Sequence, residues 1–288
     1  MLRDLLTQAY AAMRHDRRRT FLTMLGMAWG IATVVLLMAY GAGFGRAIHA
    51  IFANFGTTVV GVFPGRTSMQ AGGTKAGTQI RFTLEDIDRV STGVPLVRQI
   101  SPEAGKQATV QHDARTYQFS VNGFYPSISR IRKLDVESGR FFNEQDSQQR
   151  ARVAVIGSEA KTKLFSGAFA LGDSIRIDGV TFQVIGVLEA KMQEDNDDVN
   201  RIVYIPFSAM SDLKDTHYID GMWMNYEGDH EAVVRGVRSA LGAAHNFKPD
   251  DNRAIFVFDL MKQVYQFEII TAGLQVLLGF IGTLTLGI

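Results

Sequence analysis

The residues whose types could do chemistry fall in a few short stretches, and each stretch lacks a partner that the chemistry requires. Gly61-Val62-Phe63-Pro64-Gly65-Arg66-Thr67 approaches the glycine-rich loop whose backbone amides cradle phosphates and whose lysine reaches them. It is one residue short between the glycines and has arginine in the lysine position, so no nucleotide site is assigned there. His230-Glu231-Ala232-Val233-Val234 begins like a zinc-protease helix, but Val234 stands where the second histidine must be. His230 therefore reads as a solvated residue in a helix's first turn. Glu194-Asp195-Asn196-Asp197-Asp198 is rich in carboxylates, yet it lacks the glycine and closing glutamate of an EF-hand and reads as an exposed acidic loop. The six histidines fall in no triad spacing, and the chain has no cysteine, which excludes disulfides, thiolate metal sites and cysteine nucleophiles. Phe141, Phe142, Trp223 and Tyr226 could line a binding surface, although core packing is the commoner use of such rings. No residue is assigned a catalytic, metal-binding or cofactor-binding role.

The remaining chemistry is charge against a membrane. Arg17, Arg18 and Arg19 run directly into an apolar stretch with no charged residue before Arg46. A helix rising about 1.5 Å per residue covers more than the roughly 30 Å hydrocarbon core between residues 20 and 45. Lipid offers the backbone no hydrogen-bond partner, so this span must be helical. Arg3, Arg14, Arg17, Arg18 and Arg19 precede it and only Arg46 follows closely. Positive charge near a span stays cytoplasmic, which puts the N-terminus inside and residue 46 onward outside a bacterial inner membrane. Arg18-Arg19-Thr20-Phe21-Leu22 also looks like a twin-arginine export signal. The apolar run is far longer than the about 7–15 residues of a signal peptide, and Ala47-Ile48-His49-Ala50 is a poor cleavage sequence, so an uncleaved span is preferred.

Around that span the chain divides into unlike parts, so its mean hydropathy of +0.02 describes none of them. Residues 1–19 form an amphipathic cytoplasmic helix, with Leu2, Leu5, Leu6, Ala9, Tyr10 and Met13 on one face. Arg14 to Arg19 can meet anionic lipid there. Gly26 and Gly30 make a Gly-x-x-x-Gly pair that permits close helix approach, though glycine is common in membrane helices in any case. The helix loosens at Gly41, Gly43 and Gly45. Residues 263–288 read as a second span that the sequence does not complete, which points to a fragment. A net charge of +1 over 288 residues argues against nucleic acid as a partner.

Residues 46–262 read as an α+β domain. Strands are expected at 57–63, 96–100, 104–111, 115–123, 152–156, 201–205, 217–226 and 254–258. Asp178-Gly179 joins 174–177 to 181–188 as a hairpin. Thr83 caps a helix through Val90, a short helix follows Pro126, and Ser158 caps a helix to Phe165. Pro206 starts another, and Asp229 caps 230–241. Residues 68–79, 143–150 and 194–200 are expected to be loops.

Several motifs in order now carry a resemblance. Residues 18–26 (RRTFLTMLG), Arg152-Val153-Ala154-Val155-Ile156-Gly157 with Leu164-Phe165, Gly172-Asp173-Ser174-Ile175-Arg176-Ile177, Phe182 to Leu188, and Tyr204-Ile205-Pro206 together resemble MacB/FtsX-type ABC transporter permeases. The resemblance implies helical transmembrane segments flanking an α+β periplasmic domain of two subdomains, the inserted one at about 123–200. It also implies four spans, a dimer of permeases (homo- or heterodimer), a cytoplasmic ATPase that binds the ATP, and a periplasmic adaptor in some systems. ATP-driven movement of the spans would rearrange the periplasmic domains for export or extraction of substrate. An anchored extracytoplasmic sensing module without transport is the alternative, and an exported enzyme is a distant third.

Overall fold

The computed structural model describes residues 17–53, 58–71, 75–191 and 199–259, with 266, 269–274, 276–277 and 279–280. The amphipathic segment 1–16, including Arg14, and the acidic run 192–198 lie outside the described residues. The chain divides into one unit of Met1–Ala50 with Lys262–Ile288 and a second of Ile51–Met261.

The first unit is dominated by helix α1, Arg17–Ala53. Its exposed side chains include Phe21, Leu22, Met24, Leu25, Met27, Trp29, Ile31, Val35 and Leu36. A helix apolar on every side has no aqueous face and calls for an apolar surround. The backbone stays helical through Gly41, Gly43 and Gly45 rather than loosening there. Each glycine costs about 1 kcal/mol of helix propensity, which a helix with continuous internal hydrogen bonds can absorb. Of the second expected span, the described residues are helical, and Ile269, Ile270, Leu274, Val276, Leu277 and Phe280 are exposed.

The second unit is built on ten strands: β1 Val59–Pro64, β2 Val97–His112, β3 Arg115–Phe124, β4 Val136–Gly139 and β5 Val153–Ile156. They continue with β6 Ser174–Ile177, β7 Val180–Leu188, β8 Ile202–Pro206, β9 Gly221–Tyr226 and β10 Ile255–Asp259. Hydrogen-bonded neighbours run β10-β1-β9-β2-β3-β8-β5-β7-β4, and β6 pairs with both β2 and β7. That last pairing closes β2-β3-β8-β5-β7-β6 into a ring, which removes the free edges of those six strands. The ring's centre is filled by Val110, Val121, Val203, Ile156, Phe182 and Ile177, all fully buried. The extension β9-β1-β10 leaves the first half of β2, where Val97 to Glu103 pair with β9.

Among the described residues of this unit six α-helices accompany the sheet: α2 Leu84–Gly93, α3 Ile128–Ile131, α4 Glu144–Gln148, α5 Ser158–Phe165, α6 Phe207–Met210 and α7 His230–His245. Helix α2 is amphipathic and buries Ile87 and Val90, while α7 buries Val233, Val237 and Leu241. These join one large core with Val60 and Val62. A second cluster holds Phe124, Ile128, Ile131, Phe142, Val155, Leu188 and Tyr204.

Four local expectations are corrected. The strands expected at 96–100 and 104–111 are one ladder, with Pro102 in register opposite Met222. Ser101 Oγ accepts from Tyr125 N and donates to Pro102 O, so the break costs no buried polar group. The expected loop 143–150 contains α4, because Asn143 Oδ1 accepts from Asp146 N while Asp146 Oδ2 accepts from Asn143 N. The long strand 217–226 shortens to β9, since Asp215 takes the amide of His217 and Asp220 takes that of Gly105.

Ser158 is not the cap of α5. Gly157 occupies that position, and Ser158 Oγ donates to Asn200 Oδ1 at 2.9 Å. The reason is space: a Cβ on Gly157 would collide with the backbone of Asn200 and Val199. Gly157→Ala is expected to cost about 1–3 kcal/mol through overpacking. Thermal unfolding of the variant checks it, and an unchanged midpoint would contradict the packing.

Candidate functional site

The basic residues Arg17, Arg18 and Arg19 stand on the first turn of α1. All three are exposed. Hydroxyls on this helix are satisfied within it: Thr23 Oγ1 donates to Thr20 O and Arg19 O, and Thr33 Oγ1 donates to Trp29 O. Such bonds are the form in which threonine is tolerated in hydrocarbon. Gly26 and Gly30 sit one turn apart, and a Cβ at either would meet nothing within 4 Å. Their small size therefore leaves a smooth strip of helix that this chain does not itself cover among the described residues. By length and composition α1 is able to cross a membrane, its window Arg17–Leu36 having a mean hydropathy of 1.5.

In the second unit the strongest electrostatic features are clamps. Asp251 is fully buried and accepts from Ser68 N and Oγ, both at 2.6 Å, from Met69 N at 2.9 Å and from Arg253 N at 3.1 Å. Burial by itself would raise its pKa, but these hydrogen bonds outweigh it and hold the carboxyl down to about 2. The bond spans 183 residues of chain and ties the loop after β1 to the segment before β10. The expected loop 68–79 is thus anchored at its start, and Thr67 to Thr78 backbone bonding closes its neck.

Asp86, also fully buried, joins two helices. It accepts from the amide of Thr83, the N-cap of α2, and lies 3.0 Å from His245 Nε2 at the end of α7. Burial opposes its ionisation, while the His245 and Thr83 bonds and the Arg89 charge lower its pKa overall. Arg140 grips Asp146 with two nitrogens at 2.6 and 3.0 Å, which lowers the carboxyl pKa and raises that of the guanidinium.

The other sequence candidates separate in space. Gly61 lies inside strand β1 and Gly65 donates to Ala254 O, so this stretch is sheet and not a loop before a helix. His230 is the first residue of α7, capped by Asp229, which accepts from Glu231 N and Ala232 N. Phe142 and Tyr226 are buried in the cores, and Phe141 packs against the second one. Trp223, like Phe141, stays half-buried, and the guanidinium of Arg132 lies 4.7 Å from its ring centre. The sequence reading passed over Arg132. Its only signal was a basic residue closing a short helix beside a tryptophan strand far away in sequence.

Comparison with known proteins places this geometry. Residues 20–240 match the MacB-like periplasmic core domain family. The chain is 29% identical over 220 residues to the macrolide export ATP-binding/permease protein MacB of Bdellovibrio bacteriovorus, covering 75% of this chain and 34% of that protein. It is 35% identical over 214 residues to the pyoverdine export ATP-binding/permease protein PvdT of Pseudomonas putida, covering 72% and 31%. The chain thus spans about a third of the length of these curated relatives. Its fold is similar to the periplasmic region of MacB from Actinobacillus actinomycetemcomitans, with a TM-score of 0.61 at 17% identity, covering 77% of this chain and 98% of that one. It is also similar to the extracellular domain of the ABC-type transporter YknZ of Gram-positive bacteria, with a TM-score of 0.56 at 23% identity, covering 69% and 99%. An apolar helix followed by a periplasmic-type α+β domain is therefore present, and the chain belongs to the MacB-like periplasmic core domain family, related to the MacB and PvdT ABC transporter permeases.

Proposed function

We propose that the chain is the first span and periplasmic domain of an ABC-type efflux or mechanotransmission permease. The observation that carries this is a MacB-like domain following directly on an apolar helix whose first turn holds Arg17, Arg18 and Arg19. The arginines favour a cytoplasmic N-terminus in the bacterial inner membrane, with the domain in the periplasm. ATP is bound outside these 288 residues, by a cytoplasmic ATPase that acts on the spans and through them rearranges the domain. The permease works as a dimer, with an adaptor among its periplasmic partners. The macrolide and pyoverdine exporters among its relatives support export as the direction, and cargoes so unlike each other leave the substrate open.

The test is a pull-down of the native protein, tagged at its N-terminus, from membranes in mild detergent, followed by mass spectrometry. An ATPase with a phosphate loop is expected in stoichiometric amount, either as a partner or within the same native polypeptide. Repeated preparations with neither would leave the anchored sensing module as the reading.

Gly26 and Gly30 supply the helix-packing strip of this reading. Gly26→Leu combined with Gly30→Leu is expected to reduce cross-linking between copies, or between permease partners, in membranes. The soluble-domain fold, read by protease resistance, should not change. Undiminished cross-linking would remove these glycines from the interface.

A further inference from the structure

The face of β1 opposite Val60 and Val62 carries a cluster that none of the roles above uses. Gly61 lies in register between Phe258 of β10 and Trp223 of β9. A Cβ at Gly61 would meet the Phe63 and Trp223 rings at 3.0 Å, so the bare glycine is what lets those rings lie there. Trp223 meets Phe63 edge-on at 5.6 Å and Phe258 at 6.0 Å, and Phe256 lies opposite Phe63. β10 ends the sheet path, and its Phe256 is 63% and its Phe258 39% exposed. Exposed aromatic rings concentrated at one sheet end differ from the scattered single hydrophobes of an ordinary surface.

Arg132 supplies a charge to this terrace. It is 9% exposed, yet its guanidinium has no hydrogen bond or ion pair to a side chain among the described residues, and its contact is the Trp223 ring. Glu103 lies on this face as well, where its carboxylate accepts from Trp223 Nε1 at 2.6 Å and from Asn122 Nδ2 at 2.7 Å, neutral donors that leave its charge in place. Lys191 Nζ donates to the carbonyls of Arg132 and Lys133, which brings a further cation beside the same turn. A nearly buried guanidinium with no direct ion pair among the described residues gains from an anion that reaches it.

The strands that bear the terrace are also those that lead to the apolar segments. Val60 pairs with Asp259, so the start of β1 and the end of β10 lie side by side. β1 begins six residues after Ala53 closes α1, and β10 ends ten residues before Ile269. Aromatic rings with a cation are the composition of a membrane's interfacial zone.

We propose that Arg132, Trp223, Phe63, Phe256 and Phe258 form a binding site for an anionic phospholipid of the bilayer. Arg132 takes the phosphate, and the rings take the glycerol and upper acyl region. The proposal rests on the chain being membrane-anchored, which the test checks separately.

The chain has two tryptophans, Trp29 in α1 and Trp223. The full chain is placed in nanodiscs containing phosphatidylglycerol brominated near the glycerol, or phosphatidylcholine brominated likewise. In the Trp223→Phe variant, Trp29, about 14 Å into the apolar run at about 1.5 Å per residue, reports insertion through quenching by phosphatidylcholine brominated near the ends of its acyl chains. If Trp29 is not quenched, the anchoring itself fails and takes the proposal with it. In the Trp29→Phe variant, Trp223 is expected to be quenched more by the anionic lipid than by the zwitterionic one. Arg132→Gln should raise the anionic fraction needed for half-maximal quenching about tenfold, as loss of one charged hydrogen-bonding group implies. Phe256→Ser changes the most exposed of these rings and should weaken quenching without lowering the unfolding temperature. Equal quenching by both lipids, no effect of either variant, or relief of quenching by inorganic phosphate alone would overturn the proposal, the last by assigning a free-anion site.

Discussion

Asp251→Asn is expected to destabilise the domain by about 3 kcal/mol at neutral pH, because an amide puts donors where Ser68, Met69 and Arg253 already donate. The wild-type carboxylate, with its pKa held to about 2, is ionised more readily folded than unfolded. Its stabilisation is therefore fully present above the unfolded value near 4 and is lost as pH falls towards about 2, an amount on the order of 2 kcal/mol. The difference in unfolding free energy between wild type and variant should shrink across that window and stay constant above it. Asp86 and Asp146 also have lowered pKa values, but they titrate in both proteins and cancel in the difference. Urea unfolding of the full chain in detergent at pH 7 and pH 3 checks this. Equal stability of the two proteins at pH 7 would show that the clamp contributes nothing.

Tyr204→Ala is expected to cost about 3–5 kcal/mol, the range for truncating a fully buried aromatic. Its ring stacks on Phe124 at 5.7 Å and leans on Phe141 at 6.3 Å, at the centre of the second core. Tyr204 also belongs to β8, which joins β3 to β5 in the closed ring, so the cavity opens at the seam between them. The measurement is the shift in thermal midpoint, with Tyr204→Phe keeping the ring as a control. A loss below about 1 kcal/mol would mean that the neighbouring rings collapse into the space.

Much of this fold was legible because its local signals are strong. The alternation in β3, the Asp178-Gly179 turn with both residues at positive φ, and the Asp229 cap each act within a few residues. Residues that depend on distant partners were misread. Nothing near Ser158 in sequence reveals that Asn200 will occupy its hydroxyl and crowd Gly157. Asn143 and Asp146 did carry a local signature, the reciprocal cap, which was passed over because the segment is short and polar. The arginines that open α1 were visible as a charge pattern. Asp251 and Arg132 were not, since their significance comes from Ser68 and Trp223, which lie far from them in sequence.

The position of β1 bears on the order in which the domain can assemble. Its two neighbours are β9 and β10, both from the last forty or so residues of the domain. The first strand of the domain thus has no ladder partner until more than 150 further residues have followed. The six-strand ring needs no part of β1, β9 or β10 and can close earlier from 97–206. Nucleation within the ring, followed by late capture of β1 between β9 and β10, is the sequence of events this topology favours. Val59 to Pro64 is then the stretch most in need of protection while the chain is being made.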